Sequence, residues 1–300
     1  MPSLENALCF SAPAKINLDL RIVGRREDGY HLLQSHVTFL SWQDLIFFKK
    51  IEEGIQFSCS SDLGKADDNL ALRAARRMAE LAPHVGGVAI HLEKNLPVAA
   101  GLGGGSSDAA TVMLVLNRLW QVGLTHQQLI DEGVALGADV PVFLGQQTCL
   151  MEGIGEKLTP VDLGPPWSVL LLNPRVPLVT KEVFRAYREG LTSSEGAINI
   201  FNLPRGKRVV NPLVNDLQPV SQVLAPVVGE MVQALQANGA WLAAMSGSGP
   251  TVFGLFEDGP MAAKAAEAIT NSHGHWLLFH GITCKQHPFE QEWRRQFASP

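Results

Sequence analysis

The sequence predicts an α+β fold, and three observations carry that expectation. Strand-like and helix-like stretches alternate through both halves without the strict rhythm of a parallel doubly wound sheet. The chain opens β-rich, with the apolar or alternating runs "AKINLDLRIV" and "HLLQSHVTFLSWQDLIFF" around the polar turn "GRREDGY". A glycine-rich stretch then runs directly into a helical pattern at "PVAAGLGGGSSDAATVML". With 300 residues, 46% of them hydrophobic, the chain can fill more than one core. The Gly- and Pro-rich segment "MEGIGEKLTPVDLGPP" divides it, so the sequence predicts two domains, 1–155 and 156–300.

After the opening strands, "DDNLALRAARRMAELAP" begins with capping residues, keeps apolar positions at helical spacing and closes at Pro83, which predicts a helix. "GGVAIHLEKNLP" reads as a strand ending at Pro97. Ser106 or Ser107 can cap the next helix, whose Ala109, Val112, Met113, Leu116, Leu119 and Trp120 share a face. Past the boundary come a strand at "WSVLLLNP", a helix at "TKEVFRAYREG", a turn-rich connector to Pro219, a long apolar helix over Val220–Asn238, and strands within "WLAAMSGSGPTVFGLF".

Composition narrows the function. A formal charge of -5 and the absence of basic blocks interleaved with aromatics argue against nucleic acid as a partner. No apolar run is long enough to span a bilayer, and "MPSLENALCF" lacks the basic and apolar regions of a signal peptide. Cys9, Cys59, Cys149 and Cys284 are scattered without metal-ligand spacing, as expected of buried thiols in a reducing compartment. The expectation is a cytoplasmic protein with a small-molecule partner, without nucleic acid, membrane or a protein-built metal site, and a monomer or weak homodimer.

The stretch Pro97, Val98, Ala99, Ala100, Gly101, Leu102, Gly103, Gly104, Gly105, Ser106, Ser107 has the character of an anion cradle. Glycines let backbone N–H groups turn inward and approach a ligand closely. A helix N-terminus adds unpaired N–H groups and the positive end of the macrodipole, which suits phosphate. No lysine follows at P-loop spacing, and G-x-G-x-x-G fails because its last position would be Ser106 or Asp108.

Three further segments join the glycine loop: "PAKINLDLRIVGRREDGYHLL", "GADVPVFL" and "MSGSGPTVFGLF". In order and spacing the set resembles the GHMP kinase superfamily over nearly the whole chain. With "GRREDGYHLLQS" and "TKEVF" it is similar to the family that phosphorylates the 2-hydroxyl of 4-diphosphocytidyl-2-C-methyl-D-erythritol in the non-mevalonate route to isoprenoid precursors. The resemblance implies a two-domain fold with a ribosomal-protein-S5-like N-terminal domain, a ferredoxin-like α/β sandwich C-terminal domain and an active site in the cleft between them. It also implies ATP and Mg2+ as cofactors.

Roles follow from the same resemblance. Asp139 would accept the hydroxyl proton, and Lys15 would hold that carboxylate and stabilise developing charge. The glycines would wrap the β- and γ-phosphates, with Ser106 and Ser107 adding hydroxyls or helping to hold magnesium. His31 would read a cytosine edge, Tyr30 and Phe184 would pack on its ring, and Asn17 and Thr180 would contact the substrate nearby. The turn Ser246, Gly247, Ser248, Gly249 would bring backbone donors to the substrate diphosphate, and Asn69 would line the adenine pocket. Asp108 departs from the small or amide residue expected after the serines and would favour the helix dipole.

Bland readings stand beside these: Asp139 as a turn cap, Lys15 as a solvated strand residue, Phe184 as helix core, Thr180 as an N-cap, Tyr30 as a surface ring, and Gly-Ser-Gly as plain hairpin chemistry. Other acceptors within the superfamily (homoserine, mevalonate, phosphomevalonate, a sugar), a decarboxylase of the same fold, and a non-catalytic nucleotide-binding regulator stay open. The Asp-Gly-Tyr-His segment points away from the other acceptors, and intact Lys15 and Asp139 point away from the regulator. Only fourteen residues precede Lys15, so a bacterial cytoplasmic enzyme is expected rather than a plastid precursor.

Overall fold

A β-bulge in the first strand determines where Lys15 and Asn17 point. The computed structural model describes residues 5–27, 29–82, 85–188 and 214–297. Asp28, Pro83, the end of the "TKEVFRAYREG" stretch and most of the connector expected before Pro219 lie outside the described residues. In the first half, β1 (Leu8–Asn17), β2 (Arg21–Arg25), β3 (His31–Ile51) and β4 (Ile55–Cys59) precede α1 (Leu70–Leu81), β5 (Gly87–Glu93), α2 (Gly104–Leu119), α3 (His126–Val134), α4 (Val140–Leu144), β6 (Cys149–Gly153) and β7 (Lys157–Pro160). The second half holds β8 (Ser168–Asn173), α5 (Thr180–Arg188), α6 (Gln218–Leu224), α7 (Val227–Ala237), β9 (Leu242–Met245), β10 (Val252–Phe256), α8 (Gly259–His273), β11 (Leu277–Cys284) and α9 (Phe289–Phe297).

The strands among the described residues form one sheet, ordered β4-β5-β3-β11-β8-β10-β9, with β1, β2 and β6 also on β3 and β7 on β6. Among these strands only β4 and β5 pair in parallel, so the expected α+β arrangement is the one found. The 21-residue β3 is the spine that joins both halves, pairing with β1 along one edge and with β5 and β11 along the other. The boundary expected near residue 155 falls in the turn between the paired strands β6 and β7.

Residues paired across an antiparallel ladder share a face. Phe10 pairs with Ile46 and packs into the core under α1 and α2, but a register shift between Pro13 and Lys15 breaks the alternation. Beyond that bulge Lys15 pairs with Phe39 and Asn17 with Val37, both members of the same helical core. The bulge therefore moves Lys15 and Asn17 onto the α2 side, and sends Ala14 and Ile16 to a second core shared with Val169, Leu171, Phe253 and Leu255.

Several local expectations change. The single helix over Val220–Asn238 is two helices, α6 and α7, broken at Ala225–Pro226. Proline disfavours helical geometry in the residue before it, and Ala225 sits at φ -142°, ψ 87°. Neither Ser106 nor Ser107 caps α2, because Gly103 takes the N-cap position at φ 70° and both serines fall in the first turn. "AKINLDLRIV" splits between β1 and β2, and β5 ends at Glu93 rather than Pro97. All four cysteines are free, but only Cys149 is fully buried, where desolvation lifts its thiol to about 12.

Candidate active site

The glycine loop and the N-terminus of α2 form one wall of a cavity of about 510 Å³ between the two halves. Gly104, Gly105 and Ser106 precede the first intrahelical bond, from Ser107 N to Gly103 O at 2.8 Å, so their N–H groups have no partner within the helix. Two glycines are dictated by close approach. Gly101 has φ +76°, and a Cβ there would stand 2.5 Å from Ser246 O. Gly103 has φ +70°, and a Cβ there would meet the Phe143 ring at 2.9 Å and Lys15 Cε at 3.1 Å. The loop is held from both sides: Lys15 N donates to Leu102 O at 3.0 Å, and Ser246 Oγ donates to Gly101 O at 3.0 Å.

Beside this cradle Lys15 Nζ lies 3.2 Å from Asp139 Oδ2 and donates to Asn17 Oδ1 at 2.6 Å. Lys15 is buried at 3% exposure, so it is not a solvated strand residue. Asp139 occupies the N-cap position of α4, yet its side chain makes no capping hydrogen bond and turns to Lys15 instead. About a third of the Asp139 side chain stays open (35%), and it lines the cavity.

On the other side, the His31 ring stacks on Phe184, centroids 5.1 Å apart and planes at 28°, with Tyr187 edge-on at 6.1 Å. Phe184 and Thr180, at the start of α5, both line the cavity, and Thr180 Oγ1 meets Ser248 Oγ at 2.8 Å. Tyr30 sits elsewhere. Its ring is exposed, lies 5.9 Å under the Arg26 guanidinium and borders a separate cavity of about 250 Å³ against Ala138 and Ile154.

The remaining positions divide. Pro97, Val98, Ala99, Ala100, Leu102, Asn17, Asn69 and Gly247 line the main cavity, and Asn69 also caps α1 by accepting from Ala71 N at 2.9 Å. Ser107 is fully buried, its hydroxyl without a partner among the described residues, on the core side of α2. Ser246 and Gly249 use their N–H groups inside the turn, donating to Thr251 O and Ser246 O respectively, which leaves Gly247 and Ser248 facing the cavity.

A buried charge cluster behind the loop had no counterpart in the sequence reading. Lys94 Nζ donates to Asp108 Oδ2 at 2.8 Å and to Asp44, whose other oxygen accepts from Asn95 N at 2.6 Å and Leu96 N at 2.8 Å. Asp108 therefore serves an ion pair rather than the helix dipole. Burial, with Asp44 alongside, lifts the Asp108 carboxyl to about 7 against the opposing pull of Lys94. Burial by itself lowers Lys94, but the two carboxylates outweigh it and hold the ammonium above its ordinary value. The available signal was the charge of Asp44 amid the apolar run "SWQDLIFF", since a carboxylate inside a buried strand needs a partner.

Comparison with known proteins decides the family. The family description "GHMP kinases N terminal domain" matches residues 69–147, and "GHMP kinases C terminal" matches 205–275. A 4-diphosphocytidyl-2-C-methyl-D-erythritol kinase of Geobacter metallireducens is 43% identical over 278 residues, 91% of this chain and 97% of the relative. One from Syntrophotalea carbinolica is 44% identical over 276 residues, covering 90% and 96%. A crystal structure of 4-(cytidine 5'-diphospho)-2C-methyl-D-erythritol kinase superposes with a TM-score of 0.77 at 35% identity, covering 92% of this chain and 98% of that one.

The chain belongs to the 4-diphosphocytidyl-2-C-methyl-D-erythritol kinase family.

Homoserine kinase from Cytophaga hutchinsonii, at 18% identity and TM-score 0.71, shares the fold. For this member of the kinase family, the N-terminal match spans the glycine loop and Asp139, and the C-terminal match spans Ser246–Gly249. Lys15 and His31 lie outside both matches; Lys15 lines the cavity from β1, and His31, on β3, stacks on the cavity-lining Phe184. Among the described residues no helix is long and apolar enough to cross a membrane, and no group of His, Cys, Asp and Glu side chains could hold a metal ion alone.

Proposed function

We infer that this chain is an ATP-dependent small-molecule kinase that phosphorylates the 2-hydroxyl of 4-diphosphocytidyl-2-C-methyl-D-erythritol, giving the 2-phosphate and ADP. The observation that carries the reading is the Lys15–Asp139 pair, 3.2 Å apart at the edge of the glycine cradle. Phosphoryl transfer asks a protein for positioning, charge neutralisation and a route for the acceptor's proton. Asp139 accepts that proton, and Lys15 orients the carboxylate and balances charge on the acceptor oxygen. The N–H groups of Gly103 to Ser106 hold the β- and γ-phosphates at the positive end of α2.

Magnesium fits the donor set only together with the nucleotide. No cluster of three acidic or histidine ligands exists among the described residues, while the hard oxygen of Ser106 lines the cavity. Ser106 is the side chain we assign to it, and the ion supplies charge neutralisation on the phosphates. The His31–Phe184 stack is a platform for the cytosine ring, with Thr180, Asn17, Gly247 and Ser248 near the rest of the acceptor. Tyr30 joins the ring only by turning away from Arg26, and Asn69 borders the adenine end. In this reading residues 1–155 supply the cradle and the reacting pair, and 156–300 supply most of the acceptor wall. The protein acts as a cytoplasmic monomer or weak homodimer, with neither nucleic acid nor membrane as a partner.

The test is ADP release from ATP and magnesium with 4-diphosphocytidyl methylerythritol, mevalonate, homoserine or galactose as acceptor. Turnover with the cytidine compound alone is expected. Turnover with a different acceptor sinks the assignment of the His31–Phe184 platform, and ATP binding without any turnover favours a regulator.

A further inference from the structure

A hydrogen-bond chain runs from the reacting pair into the sheet, and its direction is fixed at the far end by a backbone carbonyl. Lys15, Asn17 and Ser35 lie on one face, because Asn17 pairs with Val37 and Ser35 is two residues from Val37 along β3. Ser35 Oγ donates to Asp19 O at 2.5 Å, and Asn17 Nδ2 donates to Ser35 Oγ at 2.8 Å. A carbonyl oxygen can only accept, and a serine hydroxyl has one proton. That proton is committed to Asp19, so Ser35 Oγ is left to accept. The amide of Asn17 must then present its NH2 to Ser35 and its carbonyl oxygen to Lys15, as the 2.6 Å contact shows.

The anchor is itself fixed. The Asp19 carboxylate accepts from His36 N at 2.6 Å and contacts His36 Nδ1 at 3.0 Å, which pins the residue whose carbonyl starts the chain. Every member is buried: Ser35 at 0%, Asn17 at 1%, Lys15 at 3%, Asp19 at 4%. A reversed Asn17 amide would put its NH2 against the Lys15 ammonium, in a setting where unmatched polar groups are costly.

We propose that Ser35 is a positioning residue for phosphoryl transfer: by dictating the orientation of the Asn17 amide, it aims the Lys15 ammonium at Asp139. Ser35 is fully buried and is not among the residues lining the main cavity, so it acts only through Asn17. The inference rests on Lys15 and Asp139 as the reacting pair.

The experiment compares kcat, KM and thermal unfolding of the full chain with ATP, magnesium and 4-diphosphocytidyl methylerythritol for five variants: Ser35→Ala, Ser35→Cys, Asn17→Ala, Asn17→Ala with Ser35→Ala, and Asp139→Asn. Ser35→Ala is expected to lower kcat about tenfold or more while the KM for ATP stays within about twofold. Ser35→Cys, which fills the space with a poor hydrogen-bonding group, gives a similar loss. With Asn17 already alanine, adding Ser35→Ala changes kcat by less than about twofold, because the residue through which it acts is gone. Wild-type kcat in both Ser35 variants overturns the proposal, as does an equal loss in both backgrounds, which is the pattern of a structural role. Wild-type turnover by Asp139→Asn instead removes the reacting pair on which the proposal stands, whatever the Ser35 variants do.

Discussion

The two walls of the cavity are built from different material. The cradle wall, Pro97–Ser106, is main chain from one continuous stretch, shaped by left-handed glycines and a helix N-terminus. The facing wall is side chain: Phe184 and Thr180 from α5, with His31 from β3 stacked on Phe184, and Ser248 from the β9–β10 turn, far apart in sequence and meeting only in the fold. A backbone cradle suits phosphate, whose oxygens ask only for N–H groups and positive potential. A ring and its polar edge need shaped, specific groups, and these come from several elements.

The contrast can be broken by substitution. Asp139→Asn removes the only atom assigned to take the proton, and kcat should fall about a hundred- to ten-thousandfold, measured as ADP release under saturating substrates. A loss of less than about tenfold would take the role of base from Asp139.

Gly103→Ala strikes the cradle next. Its left-handed φ costs roughly 1–2 kcal/mol for any other residue. Its Cβ would also press on Phe143 and Lys15 Cε. We expect kcat/KM for ATP to drop by about tenfold or more, with a lower melting temperature. Unchanged ATP kinetics would show that the loop tolerates a side chain where the geometry forbids one.

Phe184→Ala tests the facing wall. Loss of the aromatic face, worth about 0.5–1.5 kcal/mol, should raise the KM for the cytidine acceptor by about two- to tenfold, and leave kcat and the KM for ATP near wild type. If the KM for ATP rises instead, the two walls have been assigned the wrong way round.

The smallest effect concerns stability. His287 is buried behind α2, where it meets Thr111 Oγ1 at 3.4 Å and accepts from Phe289 N at 3.2 Å. Burial pushes its pKa down from 6.5 to about 3. A base with a depressed folded-state pKa charges first in the unfolded chain. Its stabilising contribution is therefore intact above about pH 6.5 and is lost as pH falls toward 3, by at most about 1.4 kcal/mol per pH unit. Melting temperatures of wild type and His287→Gln between pH 7.5 and 5 should converge as pH falls. A constant difference would mean that His287 is not held neutral.

Legibility followed the same division as the walls. The glycine loop was legible from its own spacing, and Lys15 and Asp139 were singled out through the short stretches that carry the family resemblance. The Asp44–Lys94–Asp108 cluster went unread, since its members stand 50 and 14 residues apart and meet through the β3–β5 ladder and the packing of α2. Pro226 was visible in the sequence, yet the apolar pattern across it outweighed the break it imposes. Tyr30 and His31 are neighbours in sequence, but consecutive strand-end residues point to opposite sides, and only His31 meets Phe184.

Local chemistry alone pointed to the α+β class and to a phosphate cradle at a helix N-terminus, because periodicity, backbone conformation and capping depend on near neighbours, while the roles of Lys15 and Asp139 came with the family resemblance. The tertiary structure decided the rest. A single bulge in β1 chose which face Lys15 and Asn17 occupy, and the long β3 strand carries His31 to Phe184, Ser35 to Asn17 and Asp44 to Lys94. Side-chain partnership across a sheet depends on register, and register is settled only when the strands have met.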